Sequence, residues 1–203
     1  VPGRYQMSSY LEDATAVCEQ AAGAPAIVVG HSLGGGTAAG LAQLRPELVR
    51  GALFEDAGFF DPEADDVLDE ANSLNEALGR LRESIPPMQA AGMTAEEVVP
   101  MLAATPHAAG GTLGDLLLDD GLLTLAQGML DVDASVLDPV ISGEMERVHD
   151  PLQPIECPIV AVAADPAMPD ALTTPADLAR LEAHCPDVST YTLAGANHLI
   201  HDT

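Results

Sequence analysis

Apolar positions along the chain fall into two patterns that occupy different segments. Three short apolar runs and one alternating run are typical of strands in a largely buried sheet. The predicted strands are residues 26–29, 49–56, 157–165 and 188–195. Helical spacing of apolar residues occurs at 9–23, 33–44 and 174–185. This order of elements predicts an α/β protein with a mainly parallel sheet of about four strands.

The middle of the chain follows only the helical pattern. In its first predicted helix, Val67, Leu74, Leu78, Leu81 and Ile85 form one apolar stripe, and Pro86-Pro87 is expected to end that helix. Further helical stretches follow, without a strand-like segment. We therefore predict a core formed by residues 1–60 and 151–203, interrupted by a helical cap at 61–150.

The composition narrows the classes of partner. The formal net charge is −25, with 32 acidic residues against 7 arginines and lysines, and no lysine occurs in the chain. Such a surface repels phosphate groups, so nucleic acids and anionic membranes are not expected partners. No apolar run approaches the roughly 18 residues of a membrane span.

Cysteine usage points to a reducing compartment. Cys18, Cys157 and Cys185 are far apart in sequence, odd in number, and outside any metal-binding spacing. We therefore expect free thiols, no metal site, no disulfide framework and a cytoplasmic location.

The candidate chemistry begins where the first predicted strand meets the second predicted helix. Gly30-His31-Ser32-Leu33-Gly34 fits the pattern G-x-S-x-G, in which a serine occupies a tight strand-to-helix turn flanked by small residues. Such a turn presents the hydroxyl of Ser32 as a nucleophile. The N–H of Leu33 would then form half of an oxyanion hole, and His31 is expected to line the pocket.

A nucleophilic serine needs a base and an acid. His198 follows the last predicted strand, where the carboxyl ends of parallel strands gather, and is the expected base. Asp165 ends the preceding predicted strand and is the preferred acid. Asp56, at the end of the second predicted strand, and Asp170, in the same loop as Asp165, remain alternatives because the chain is rich in carboxylates.

Taken together, these segments resemble the α/β-hydrolase superfamily. "VVGHSLGG", "CPIVAVAADP" and "LAGANHLIH" resemble its nucleophile elbow, acid-bearing strand and histidine loop, and residues 137–166 resemble the return from cap to core in lid-bearing members. The resemblance implies a Ser32, Asp165 and His198 triad beneath a helical cap. It also implies acyl-enzyme chemistry on a small-molecule ester-like substrate, with no cofactor.

The resemblance is incomplete before residue 26. The family has strands and an oxyanion loop ahead of the elbow strand, whereas a single helix is predicted here. We therefore expect the N-terminal strands to be absent, the chain to be a fragment, and the elbow strand to have an unpaired apolar edge. Loss of one oxyanion donor costs roughly 10²–10³ in kcat, so weak catalysis is expected. A serine acyltransferase and a catalytically impaired binding protein on this scaffold are the alternative functions.

Overall fold

A parallel four-stranded sheet organises the molecule. The computed structural model describes residues 3–23, 25–58 and 73–202. The strands are β1 Ala26–His31, β2 Val49–Glu55, β3 Ile159–Ala163 and β4 Val188–Thr192. They lie in the order β1-β2-β3-β4, and every neighbouring pair is parallel. The prediction of an α/β protein with about four parallel strands is confirmed.

Eight α-helices accompany the sheet in the described ranges. They are α1 Met7–Val17, α2 Leu33–Leu44, α3 Ser73–Ala90, α4 Ala95–Ala103, α5 Leu113–Leu116, α6 Asp119–Asp131, α7 Asp138–Ile141 and α8 Pro175–His184. A π-helical turn, Cys18–Ala22, extends α1 up to Gly23, which has a φ of 67° that glycine adopts readily. Thr174 begins α8 through a capping box with Asp177, and Pro175 occupies its first turn.

The helices α1, α2 and α8 belong to the core that contains the sheet. Met7 and Leu41 are fully buried there with Phe54 of β2. The first half of α2 is built from small residues: Gly35, Gly36, Ala38, Ala39 and Gly40 are all buried. Because these side chains are small, α2 packs close to the strand ends that carry the candidate chemistry.

The helices α3 to α7 form a helical block, residues 73–141, with its own apolar core. Ile85, Val98, Leu102 and Met129 are buried in this second cluster. The expectation that Pro86-Pro87 ends the first helix of the block is wrong, because α3 continues to Ala90. Each proline removes one backbone N–H donor from the helix, but Ile85, directly before them, is buried in the cluster and anchors that turn. Val67 of the predicted stripe lies outside the described residues.

One edge and one face of the sheet are exposed. Among the described strands β1 pairs only with β2, and Ile27 and Val29 of β1 are 60% and 66% exposed. Tyr191 of β4 is also largely exposed. No helix in the described part of the chain combines the length and apolar character that crossing a bilayer requires.

Candidate active site

Ser32 occupies a strained turn between β1 and α2. Its φ of 52° and ψ of −125° lie where residues with side chains are uncommon. Two glycines make the turn possible. A Cβ on Gly30 would lie 2.3 Å from the carbonyl oxygen of Gly34, and a Cβ on Gly35 would lie 2.2 Å from the Cβ of Ala57. Gly34, the second glycine of G-x-S-x-G, has open space at its Cβ position.

The turn leaves a backbone donor beside the serine. The N–H of Ser32 donates to the carbonyl of Glu55 at 3.0 Å and so continues the pairing of β1 with β2. The N–H of Leu33, the first residue of α2, has no hydrogen-bond partner within the ranges that the structure describes. An unpaired N–H at a helix N-terminus is suited to binding an oxyanion.

Asp56 follows β2 directly and, like Ser32, has a positive φ. With a φ of 40°, it is the other non-glycine residue of the described chain that has a positive φ. Its carboxylate is fully buried and accepts hydrogen bonds from the backbone N–H groups of Ala164, Leu172 and Thr173. Burial acts to raise the pKa of Asp56, but hydrogen bonds from His198 and these backbone groups outweigh it and hold the pKa below its ordinary value.

His198 pairs with Asp56. The ring is buried in the loop after β4, and its Nδ1 lies 2.8 Å from Oδ2 of Asp56. Because an ionised carboxylate can only accept, Nδ1 carries a proton, and in the neutral form of the ring Nε2 is left as an acceptor. A histidine in this state can take a proton from a serine hydroxyl.

The other two acid candidates make different contacts. Asp165 accepts hydrogen bonds from the N–H of Ala167 at 2.9 Å and of Gly195 at 2.7 Å, and these bonds lower the pKa of its carboxyl. Its carboxylate thus links the loop after β3 to the loop before His198. The structure brings Asp56, and not the preferred Asp165, into contact with the ring of His198.

Asp170 lies at the junction with the helical block. Its Oδ2 accepts from the backbone N–H of His198 at 3.4 Å and lies 3.1 Å from Nε2 of His107, in the loop after α4. The N–H of Ala109 donates to Nδ1 of His107, so the proton of this ring lies on Nε2 and is donated to Asp170. Asp170 therefore contacts the backbone of His198 but not its ring.

His31 lies against His198 as part of a group of histidines. The centroids of the two rings are 4.5 Å apart, and Nε2 of His31 lies 2.9 Å from the carbonyl oxygen of His198. His201 packs edge-on against His31 and pairs with Glu55. The sequence interpretation missed Glu55. The available signal was strand register, because parallel pairing places Glu55 opposite His31 at the carboxyl end of the sheet.

The described residues show neither a cluster of metal ligands nor a disulfide. The described ranges contain no group of three or more His, Cys, Asp or Glu residues arranged to hold a metal ion. Cys18 and Cys185 are buried and Cys157 is half-buried, and all three are free thiols.

Comparisons with known proteins agree with this fold. A family model described as "Alpha/beta hydrolase family" matches residues 2–203. No curated protein sequence matches the chain.

Three solved structures illustrate the structural likeness. An N-formylmaleamic acid deformylase from Pseudomonas putida S16 is 17% identical, with 98% of this chain covering 70% of that one at a TM-score of 0.67. The E-2-(acetamidomethylene)succinate hydrolase is 21% identical, and the match covers 98% of this chain and 69% of that one at a TM-score of 0.63. A thermophilic esterase is 22% identical, and the match covers 96% of this chain and 66% of that one at a TM-score of 0.58. At these identities the likeness concerns the fold. With the family model covering nearly the whole sequence, the chain belongs to the α/β hydrolase family.

Proposed function

We propose that this protein is a serine hydrolase that cleaves small ester-like substrates through an acyl-enzyme on Ser32. The observation that carries the proposal is the buried pair of His198 and Asp56, 2.8 Å apart, at the same edge of the sheet as Ser32, which has a φ of 52° and bonds the backbone of Glu55. A strained serine, a histidine of the required tautomer and a buried carboxylate are the three parts that nucleophilic catalysis by a hydroxyl needs.

In the first half of the proposed reaction, Oγ of Ser32 attacks the ester carbonyl carbon while Nε2 of His198 takes the hydroxyl proton. The carbonyl oxygen becomes an oxyanion, which the N–H of Leu33 stabilises. Collapse of the tetrahedral intermediate breaks the ester C–O bond, and the alcohol leaves with the proton held by His198. Asp56 stabilises the positive charge on His198 in these steps and holds its tautomer.

In the second half, water attacks the acyl-Ser32 carbonyl and gives one proton to His198. A second tetrahedral intermediate collapses, the carboxylic acid leaves, and Ser32 regains its proton from His198. Atoms and protons balance across the cycle, because one water supplies the hydroxyl of the acid and the hydrogen of the alcohol. The residues therefore return to their starting state.

We also propose that the helical block covers the reacting groups as a cap. It meets the core beside His198: His107 contacts Asp170, and the N–H of Leu118 donates to the carbonyl of Asp202 at 2.9 Å. Leu199, the residue after His198, packs against the apolar core of the block. A block that contacts the base-bearing loop is well placed to exclude water and select substrates.

The nucleophile is tested by covalent labelling with a fluorophosphonate probe and by hydrolysis of short-chain p-nitrophenyl esters. We expect the protein to be labelled and to hydrolyse the esters, and Ser32→Ala to abolish both signals. Ser142→Ala, at the exposed serine that directly follows the helical block, is the matched control and should keep both. Persistent labelling of Ser32→Ala would show that another residue is the nucleophile.

A further inference from the structure

The register of β1 and β2 places two carboxylate–histidine pairs side by side. Glu55 and Asp56 are consecutive at the end of β2. Asp56 pairs with His198, whereas Oε1 of Glu55 accepts from Nδ1 of His201 at 2.8 Å and from its backbone N–H at 3.0 Å. The first pair is buried, but His201 is 49% exposed in its side chain. The second pair is therefore placed at the rim of the site.

His31 connects the two pairs. It is half-buried at the end of β1, contacts the ring of His198 at a centroid distance of 4.5 Å, and meets the ring of His201 edge-on at 4.8 Å. Its Nε2 is 2.9 Å from the carbonyl oxygen of His198. Since a carbonyl oxygen can only accept, Nε2 of His31 carries the proton and donates it.

Adjacent rings thus require opposite tautomers. His31 is protonated on Nε2 in order to hold the backbone of His198, whereas His198 is protonated on Nδ1 in order to bond Asp56. Burial, together with the nearby His198, lowers the pKa of His31 below its ordinary value, which favours its neutral form. The ionisable groups that face His31 are His198, His201 and Glu55, and Glu55 opposes this shift.

We propose that His31 is a positioning residue for the base. Its Nε2–H fixes the carbonyl of His198, and the Glu55–His201 pair holds the ring of His31 in place. This role rests on the proposed function, because it gives the residue before the nucleophile the task of fixing the base. It also ties the loop after β4 to the same strand end that carries Ser32.

The geometry is tested first without any turnover. Nitrogen-15 labelling of the histidines and long-range proton–nitrogen NMR reports the tautomer of each ring. We expect Nε2–H for His31 and Nδ1–H for His198 at neutral pH. An Nδ1–H tautomer or a charged ring for His31 would remove the reason for a neutral positioning donor at this place and overturn the proposal.

The contribution to rate is tested with substitutions that separate donor from ring. His31→Leu removes the donor, and we expect kcat for p-nitrophenyl acetate to fall by about 10- to 100-fold with KM little changed, since misplacing a reacting group acts mainly on the chemical step. His31→Gln keeps an N–H near the position of Nε2 and should recover most of the lost kcat. His201→Ala should lower kcat less than His31→Leu does. His184→Gln, at an exposed histidine on α8, is the control and should leave kcat and both tautomers unchanged.

The outcomes distinguish this role from the proposed function. A folded His31→Leu with wild-type kcat, or a His31→Gln no better than His31→Leu, would overturn the positioning role. If the wild type neither hydrolyses esters nor binds the fluorophosphonate probe, the proposed hydrolase function fails. In that case the tautomers, and the shift of the His198 signals in His31→Leu, still decide whether His31 positions His198.

Discussion

The loops after β2 and β3 each carry an aspartate at or near their start, but the two carboxylates make different contacts. Each strand delivers an aspartate to the carboxyl edge of the sheet, Asp56 in one loop and Asp165 in the other. Asp56 is fully buried and bonds the ring of His198, whereas Asp165 is partly exposed and bonds only backbone N–H groups. Strand-end position alone therefore does not determine which carboxylate serves a histidine.

The difference comes from the backbone at each aspartate. Asp56 has a φ of 40°, and the chain from β3 to α8 wraps over it, so that Ala164, Leu172 and Thr173 all donate to its oxygens. Asp165 lies within that same wrapping segment, where its own side chain closes the turn at Ala167. The segment between β3 and α8 therefore encloses the carboxylate of Asp56, whereas the carboxylate of Asp165 stabilises a turn within that segment.

The largest expected effect is a difference in kcat between variants that neutralise Asp56 and Asp165. Asp56→Asn should lower kcat by roughly 10³–10⁴, because an amide can present its NH₂ to Nδ1 of His198 and so favour the wrong tautomer. Asp165→Asn should leave kcat within about threefold, as a substitution away from the reacting groups does. Ester hydrolysis by the two purified variants measures both.

The opposite ranking, with Asp165→Asn the more damaging, would mean that the described pairing is not the working one. Circular dichroism on each variant serves as the control for folding. Equal losses in two well-folded variants would likewise break the distinction between the loops.

A second effect tests whether the turn at Ser32 depends on close packing against the loop after β2. A Cβ on Gly35 would lie 2.2 Å from the Cβ of Ala57, the residue after Asp56. Gly35→Ala should therefore lower the free energy of unfolding by about 1–3 kcal/mol, the usual cost of overpacking, and lower kcat by displacing Asp56. Urea denaturation and ester hydrolysis provide the two measurements.

Gly34→Ala is the matched control for that change. Its Cβ position is open, and alanine is the better helix former, so stability should stay the same or rise by up to about 1 kcal/mol. Similar destabilisation in both variants would show that the elbow tolerates neither alanine for reasons unrelated to Ala57.

The smallest expected effect is the contribution of Asp165 to the loss of folding stability at acidic pH. Its backbone hydrogen bonds hold the pKa below the ordinary 3.8, so the unfolded chain binds a proton at a higher pH than the native protein does. The stabilisation is complete above about pH 4 to 5 and is lost as the pH falls through the native pKa. Urea midpoints should therefore be slightly lower for Asp165→Asn than for the wild type at pH 7, and the two should converge once the pH falls below the native pKa of Asp165. A gap that stays constant with pH would contradict this account.

Local signals were sufficient for much of the fold and for two parts of the site. The strands were visible as short apolar runs, and α2 runs from Leu33 to Leu44 as the small-residue pattern before Arg45-Pro46 predicts. Glycine spacing predicts the strained turn at Ser32, and the place of His198 after the last strand makes it a candidate base. These features depend on a few neighbouring residues, which a single sequence displays.

The acid could not be chosen in the same way. Among 32 acidic residues, three candidates occupied suitable loops, and the distinction depends on where the segment from 164 to 173 folds back over Asp56. The helix across Pro86-Pro87 escaped prediction for a similar reason. Proline weakens a helix locally, but the burial of Ile85 against residues distant in sequence decides the outcome.

The spacing of Asp56 and His198 along the chain has a consequence for how the protein folds. The two residues are 142 positions apart, and the helical block lies between them. Closing so long a loop costs chain entropy before any contact repays it, whereas helices such as α3 and α6 form from local contacts. We therefore expect the contact between Asp56 and His198 to be among the last to form, and return of the proposed esterase activity after denaturation to be a stricter report of complete folding than return of helical content.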